Sequence, residues 1–286
     1  MGVPHEERAP MDLRLTHKST IITGGSGGIG RGLVLGFAEE GANVVVATRD
    51  AAKGQEVADA AKDLPGEVLV IPTDVTREDA VESMTEQAEK TFGPIDVLVN
   101  NAGGVFHPRP FLEKPREEAE WEVNLNIWGV WNCTRAAGRS MVAREQGSIV
   151  NITSNSALAA EAADQVSTYG GTKGFVMSFS KGLAYEWGPK NVRINCIAPG
   201  WIVPHKQEHV GEGSFWRKYG YELFGTPEQM AAAAEAGEAN FNVSSQPIRR
   251  IGRPEDIADL ALYFASERSA HLTGQLVSVS GGAWMP

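Results

Sequence analysis

The feature that most constrains this chain is an alternation. From Ser19 onward, short runs rich in β-branched residues ("STIIT", "ANVVVATR", "EVLVIPTDV", "IDVLVNNAG", "GSIVNITS", "NVRINCIAPG", "GQLVSVSGG") are separated by longer stretches with helical patterning. Near-continuous apolar strands must be covered on both faces, and parallel neighbours need a helical crossover between them. The expected fold class is therefore α/β, a doubly wound parallel sheet in a single domain. A length of 286 residues admits one large domain or two small ones, but no linker, low-complexity tract or internal repeat divides the chain. The expected organisation is a polar arm over 1–14 and one domain over 15–286, with an irregular insertion over 204–247 before the last strand.

Charge and composition exclude several partners. With 42% hydrophobic residues, 22% charged residues and a formal net charge of -10, the chain lacks the basic footprint that nucleic acid or an anionic membrane requires. No apolar run is long enough to cross a bilayer. The start, "MGVPHEERAPMDLRL", has neither an apolar signal core nor a basic, acid-poor character, and a cytoplasmic location is expected. Cys133 and Cys196 are too few for a disulfide framework and read as reduced core thiols.

The first strand runs into "TGGSGGIGRGLVLGFAEEG". Glycines in such a turn let the backbone approach a pyrophosphate, while the next helix offers unpaired N–H groups and its positive dipole end. Gly25, Gly27 and Gly30 match G-x-G-x-x-G, and Thr23, Gly24, Gly28 and Gly30 match T-G-x-x-x-G-x-G. Strand before and helix after supply the context for dinucleotide binding, against the alternative of a merely tight turn.

The second form of that motif resembles the short-chain dehydrogenase/reductase family, and further matches follow in order. They are "NNAG" ending at Gly103, "NIWG" from Asn126, "NITS" ending at Ser154, "YGGTK" from Tyr169 to Lys173, "APGWI" ending at Ile202, and the closing "GRPEDIADLALYFAS" and "LTGQLVSVSGG". The resemblance spans nearly everything from about residue 15 to Gly282. It implies a Rossmann fold, an oxidoreductase interconverting a ketone and a secondary alcohol, and assembly as a homodimer or homotetramer. It also implies cofactor contacts at Gly24, Ser26, Gly28, Ile29, Gly30, Asp74, Val75, Asn101, Ala102, Gly103, Pro199, Gly200 and Ile202. A non-catalytic dinucleotide-binding regulator on the same fold is the rival from another class.

Carbonyl reduction needs an acid poised near neutral pH, and a free tyrosine, with a pKa of about 10, is too weak. Tyr169 and Lys173 share a helix face, so an ammonium is expected to favour the phenolate and make Tyr169 the acid/base. By the resemblance Lys173 also holds the nicotinamide ribose, Ser154 bonds the substrate oxygen, and Asn126 anchors a water leading to Lys173. Ser156 and Asn124 remain alternatives for the last two roles. Gly170, Gly171 and Gly174 weaken this helix, each by roughly 0.8–1 kcal/mol relative to alanine. Room beside the cofactor and close approach of a neighbouring element are the expected reasons.

Arg49, at the end of "VVVATRD", favours NADP(H), because a guanidinium can meet a 2′-phosphate with two charge-assisted bonds. Asp50 in that place would favour NAD(H) instead. Phe215, Trp216, Tyr219, Tyr221 and Phe224 suggest that 204–247 is a lid closing an apolar pocket over a bulky ketone, or else a separate cluster or subunit contact. His205 and His209 have i, i+4 spacing without a third ligand, so no metal is expected.

Overall fold

The structure, a computed structural model, describes residues 12–210, 220–221, 225–236 and 246–285. Most of the polar arm, and Phe215, Trp216, Tyr219 and Phe224 of the expected lid, lie outside the described residues.

Seven strands form one sheet: β1 (Ser19–Thr23), β2 (Asn43–Thr48), β3 (Val68–Pro72), β4 (Val97–Asn100), β5 (Gly147–Ile152), β6 (Val192–Pro199) and β7 (Leu276–Val279). Their order is β3-β2-β1-β4-β5-β6-β7, and every pairing is parallel. The helices are α1 (Gly28–Glu39), α2 (Ala51–Ala60), α3 (Glu78–Phe92), α4 (Arg116–Val123), α5 (Gly129–Arg144), α6 (Ser167–Trp187), α7 (Pro227–Glu235) and α8 (Pro254–Ala265). The doubly wound α/β architecture expected from the alternation is the one observed.

Neighbouring residues on one strand feed opposite sides of the sheet, as a period of two requires. Ile22, Val44, Val46, Val97 and Val99 join the core shared with α1 and α8. Ile21, Val45, Ala47 and Leu98 join the core shared with α3 and α5. Burial on both faces is what excludes the clean apolar/polar alternation of a half-exposed sheet. At Gly32 a Cβ would stand 2.5 Å from Pro254 Cβ, so α1 and α8 can pack this closely only with glycine there.

Two features place the site. Strand order reverses between β1 and β4, so their carboxyl ends open a crevice where ligands of such sheets bind. The α4–α5 passage is not regular α-helix: Asn124–Trp128 forms a π turn, which rotates the side chains that follow. Within 204–247 the described chain includes a short turn over Gln207–His209 and helix α7, and Tyr221 with Trp201 packs against buried Val203, Met230 and Ile251. Among the described residues, no helix is long and apolar enough to cross a membrane.

Candidate active site

The glycine turn is shaped by close approach. Gly24 has φ +65° and Gly28 φ +54°, a region where a side chain is disfavoured. A Cβ on Gly30 would lie 2.1 Å from the Gly24 carbonyl oxygen, whereas one on Gly28 would meet nothing within 4 Å, so the turn closes on itself at Gly30 and is open at Gly28. The Thr23 hydroxyl accepts from the backbone N–H groups of Asn101 and Ala102, each at 3.0 Å. The Asn101 amide donates to the carbonyls of Thr23 and Gly24 at 2.9 and 3.2 Å. The turn and the loop after β4 are therefore locked together. Thr23 was visible in the motif, but its bracing of Asn101 and Ala102 depends on strands that are distant in sequence.

Around that turn, the Ser26 and Thr48 hydroxyls are 2.8 Å apart. Asp50 caps α2, accepting from Lys53 N at 3.0 Å, while exposed Arg49 has no hydrogen bond or ion pair among the described residues. Asp74 turns back on Thr76, accepting from its N–H and its hydroxyl, and Val75 is buried beneath Gly129. Gly200 follows β6 so close to Ser280 that a Cβ would be 2.8 Å from Ser280 Cβ. Ile202 forms a parallel bridge with Gly252, which anchors the chain leaving Pro199. An open turn, a free cation at the end of β2 and the crevice at the strand reversal fit a dinucleotide.

The catalytic candidates converge from three segments. Asn126, fully buried in the π turn, exchanges two 2.9 Å hydrogen bonds with the Gly104 backbone. A Cβ on Gly103 would be 2.8 Å from both Asn126 Oδ1 and Lys173 Nζ, so the asparagine and the lysine border one small space. Asn124 is exposed and does not enter it. Lys173 Nζ donates to the Ile152 carbonyl at 2.9 Å and sits 5.7 Å from the Tyr169 ring centroid. Ser154 is the hydroxyl that acts on Tyr169, and its Oγ accepts from the Ser156 backbone N–H at 3.1 Å, whereas the Ser156 hydroxyl is spent on the Ala162 carbonyl at 2.6 Å.

The electrostatics differ from the sequence expectation. The Tyr169 pKa is raised, first by burial and further by the Glu122 carboxylate, against a lowering by the Ser154 hydrogen bond. Burial also pulls the Lys173 ammonium down to about 8. The expected lowering of Tyr169 by Lys173 is thus overturned for the chain by itself, because counting charges along a helix leaves out desolvation. Of the three glycines near Tyr169, only Gly170 has a packing reason, since its Cβ would be 2.5 Å from the Ser156 carbonyl oxygen. Gly171 and Gly174 face open space within 4 Å. His205 pairs with Glu255 at 3.1 Å, and among the described residues no group of three His, Cys, Asp or Glu side chains could hold a metal.

Known proteins match this chain over most of its length. The family model described as enoyl-(acyl carrier protein) reductase matches residues 24–283. A 3-oxoacyl-(acyl-carrier-protein) reductase FabG of Chlamydia muridarum is 34% identical over 275 residues, 95% of this chain and 99% of that protein. A short-chain type dehydrogenase/reductase from Mycobacterium marinum superposes with a TM-score of 0.78 at 32% identity, covering 96% of this chain and 98% of that one. A 7α-hydroxysteroid dehydrogenase, complexed with NADH and 7-oxo glycochenodeoxycholic acid, superposes with a TM-score of 0.79 at 30% identity, covering 95% and 96%. The chain belongs to the short-chain dehydrogenase/reductase family. It is an oxidoreductase that interconverts ketone and alcohol groups.

Proposed function

We propose that this enzyme is an NADP(H)-preferring oxidoreductase for a bulky or apolar ketone and its secondary alcohol, with Tyr169 as acid/base. The observation that carries the reading is that Asn126 and Lys173 border one space beside Gly103, with the Tyr169 ring 5.7 Å from Lys173 Nζ and Ser154 acting on Tyr169. When bound, the nicotinamide cofactor supplies or accepts the hydride. Gly24, Ser26, Gly28, Ile29 and Gly30 would receive its phosphates, Asp74 and Val75 its adenine, and Asn101, Ala102, Gly103, Pro199, Gly200 and Ile202 its nicotinamide half. Lys173 would hold the ribose.

In reduction, Ser154 orients the substrate oxygen and stabilises its developing charge, and Tyr169 gives that oxygen the phenolic proton. The raised pKa keeps the phenol protonated, which suits a donor. In oxidation the same phenol oxygen takes the proton back. Lys173 and Asn126 border one small space, through which that proton would be replaced.

Steady-state kinetics beside a cofactor titration test this reading. Tyr169→Phe is expected to keep cofactor affinity and lose roughly 10²–10⁴-fold in turnover; near-normal turnover would end the mechanism. Arg49→Ala is expected to weaken NADPH by about 1.5–3 kcal/mol more than NADH, since only NADPH loses a charge-assisted contact. Equal losses would favour NAD(H), the cofactor in the 7α-hydroxysteroid dehydrogenase complex. The bulky substrate is supported by that complex's 7-oxo bile acid.

Assembly with a second copy is part of the same proposal. Trp128, at the end of the π turn, meets Trp131 of α5 edge to face, and Trp131, Phe179 and Phe175 stack between α5 and α6, with neighbouring ring centroids 5.5–6.1 Å apart; Trp128, Trp131 and Phe175 stay exposed. Such a contiguous apolar patch is what a subunit contact covers.

A further inference from the structure

Glu122 is a fully buried carboxylate in the last turn of α4, four residues before Asn126. Its Oε1 accepts from Lys114 Nζ at 2.8 Å and from the backbone N–H of Phe106 at 3.0 Å. Lys114, whose side chain is 4% exposed, also donates to the His107 carbonyl at 3.3 Å. Glu122 Oε2 is buried with no hydrogen-bond partner among the described residues. An ion pair this dry is costly to desolvate and adds little to stability compared with an apolar pair of the same shape, so its presence calls for another reason.

The loop after β4 supplies one. Its backbone is tied at four points: Gly104 to the Asn126 amide, Phe106 to Glu122, His107 to Lys114, and Arg109, whose N–H donates to the Gln165 carbonyl at 2.9 Å. Gln165 stands four residues before Tyr169 and holds φ +57°, an unusual conformation for a non-glycine residue. The loop thus crosses from the π turn to the start of α6 over the catalytic cluster. Glu122 ties its middle.

We infer that Lys114 and Glu122 are a positioning pair for the reaction, fixing the loop from Gly104 to Arg109 across the catalytic cluster and setting a carboxylate charge near Tyr169. This deepens the reading of Tyr169 as proton donor and rests on it. The other charged groups around the pair are Arg109 and Glu118, joined at 3.0 Å, with His107 against Arg109 and Lys173 on α6 beyond. The Glu122 carboxylate opposes ionisation of the phenol. Negative charge there holds the proton on Tyr169 to higher pH, which favours reduction.

The test is the pH dependence of carbonyl reduction. Glu122→Gln keeps an oxygen for Phe106 and Lys114 but removes the charge. The alkaline fall in turnover, where Tyr169 loses its proton, is expected to move to lower pH. The apolar replacement Lys114→Met/Glu122→Leu removes charge and tie together. It removes a cation and an anion together, so it is expected to move the alkaline limb less than Glu122→Gln does, and to raise KM for the carbonyl substrate on the order of tenfold while cofactor Kd stays unchanged. A third readout needs no change at the pair: the phenolate absorbance difference between the native chain and Tyr169→Phe should appear only above about pH 10, the value of free tyrosine. An unmoved alkaline limb in Glu122→Gln, an unmoved KM in the double variant, or phenolate appearing below that pH in the native chain would overturn the inference. Failure of the underlying reading would look different, as near-normal turnover in Tyr169→Phe itself.

Discussion

Lys114 and Lys173 lie in neighbouring regions on either side of Asn126, both almost without exposure, yet they are neutralised in different ways. Lys114 has a carboxylate 2.8 Å away. Lys173 has a carbonyl oxygen, an amide oxygen close by and the face of a tyrosine ring. A full counter-charge fixes a buried ammonium in place, whereas dipoles only partly repay its desolvation. The first lysine therefore belongs to the loop's architecture, while the second is left able to gain or lose a proton near neutral pH, at about 8.

The largest effect should come from breaking the fixed pair on one side. Lys114→Met leaves the Glu122 carboxylate buried without its cation, and the expected cost is about 3–5 kcal/mol in a denaturant melt. Replacing both partners by apolar residues should recover most of that loss. If the single variant melts like the native chain, Lys114 is not holding Glu122, and the contrast between the two lysines disappears.

The second lysine gives a smaller effect with a pH signature. Its pKa falls from 10.5 to about 8 on folding, so below pH 8 the folded chain carries the whole cost of a desolvated ammonium. Between pH 8 and pH 10 the folded chain releases this proton while the unfolded chain keeps it. The unfolded state then binds more protons, and stability rises with pH. The rise attributable to Lys173 is up to roughly 3 kcal/mol, from the size of the shift. Lys173→Met should lose activity and cofactor affinity and should also flatten this rise relative to the native chain. Parallel stability curves for the two proteins over pH 8–10 would show that Lys173 is not desolvated as described.

The same contrast explains what could be read in the sequence. The strands were legible because burial on both faces leaves near-continuous apolar runs, and Tyr169 with Lys173 because i, i+4 places them on one helix face. Asn126 was separable from Asn124 only by motif offset, since the π turn that turns one inward and the other outward has no signal in "NLNIW". Lys114 and Glu122 were missed for a different reason. They are eight residues apart across a loop and a helix, and in the sequence they look like the solvated charges around them. The sign of the Tyr169 shift was also hidden, because it depends on burial and on that same carboxylate.

The smallest effects sharpen the comparison along α6 itself. Gly170→Ala forces a Cβ to within 2.5 Å of the carbonyl oxygen of Ser156, two residues after Ser154 in the site loop. Overpacking of that kind costs about 1–3 kcal/mol, more than the helix gains from alanine. One residue on, Gly171 has nothing within 4 Å, so Gly171→Ala should stabilise the chain by roughly 0.8–1 kcal/mol, the plain helix propensity. Opposite signs at adjacent glycines would separate a residue required by close approach from one that is merely permitted. Thermal melts of both variants at two protein concentrations decide it. A loss at Gly171 that shrinks on dilution would mean that the second copy, proposed above for the aromatic face of α5 and α6, reaches across to this side of the helix and supplies the neighbour that the single chain lacks.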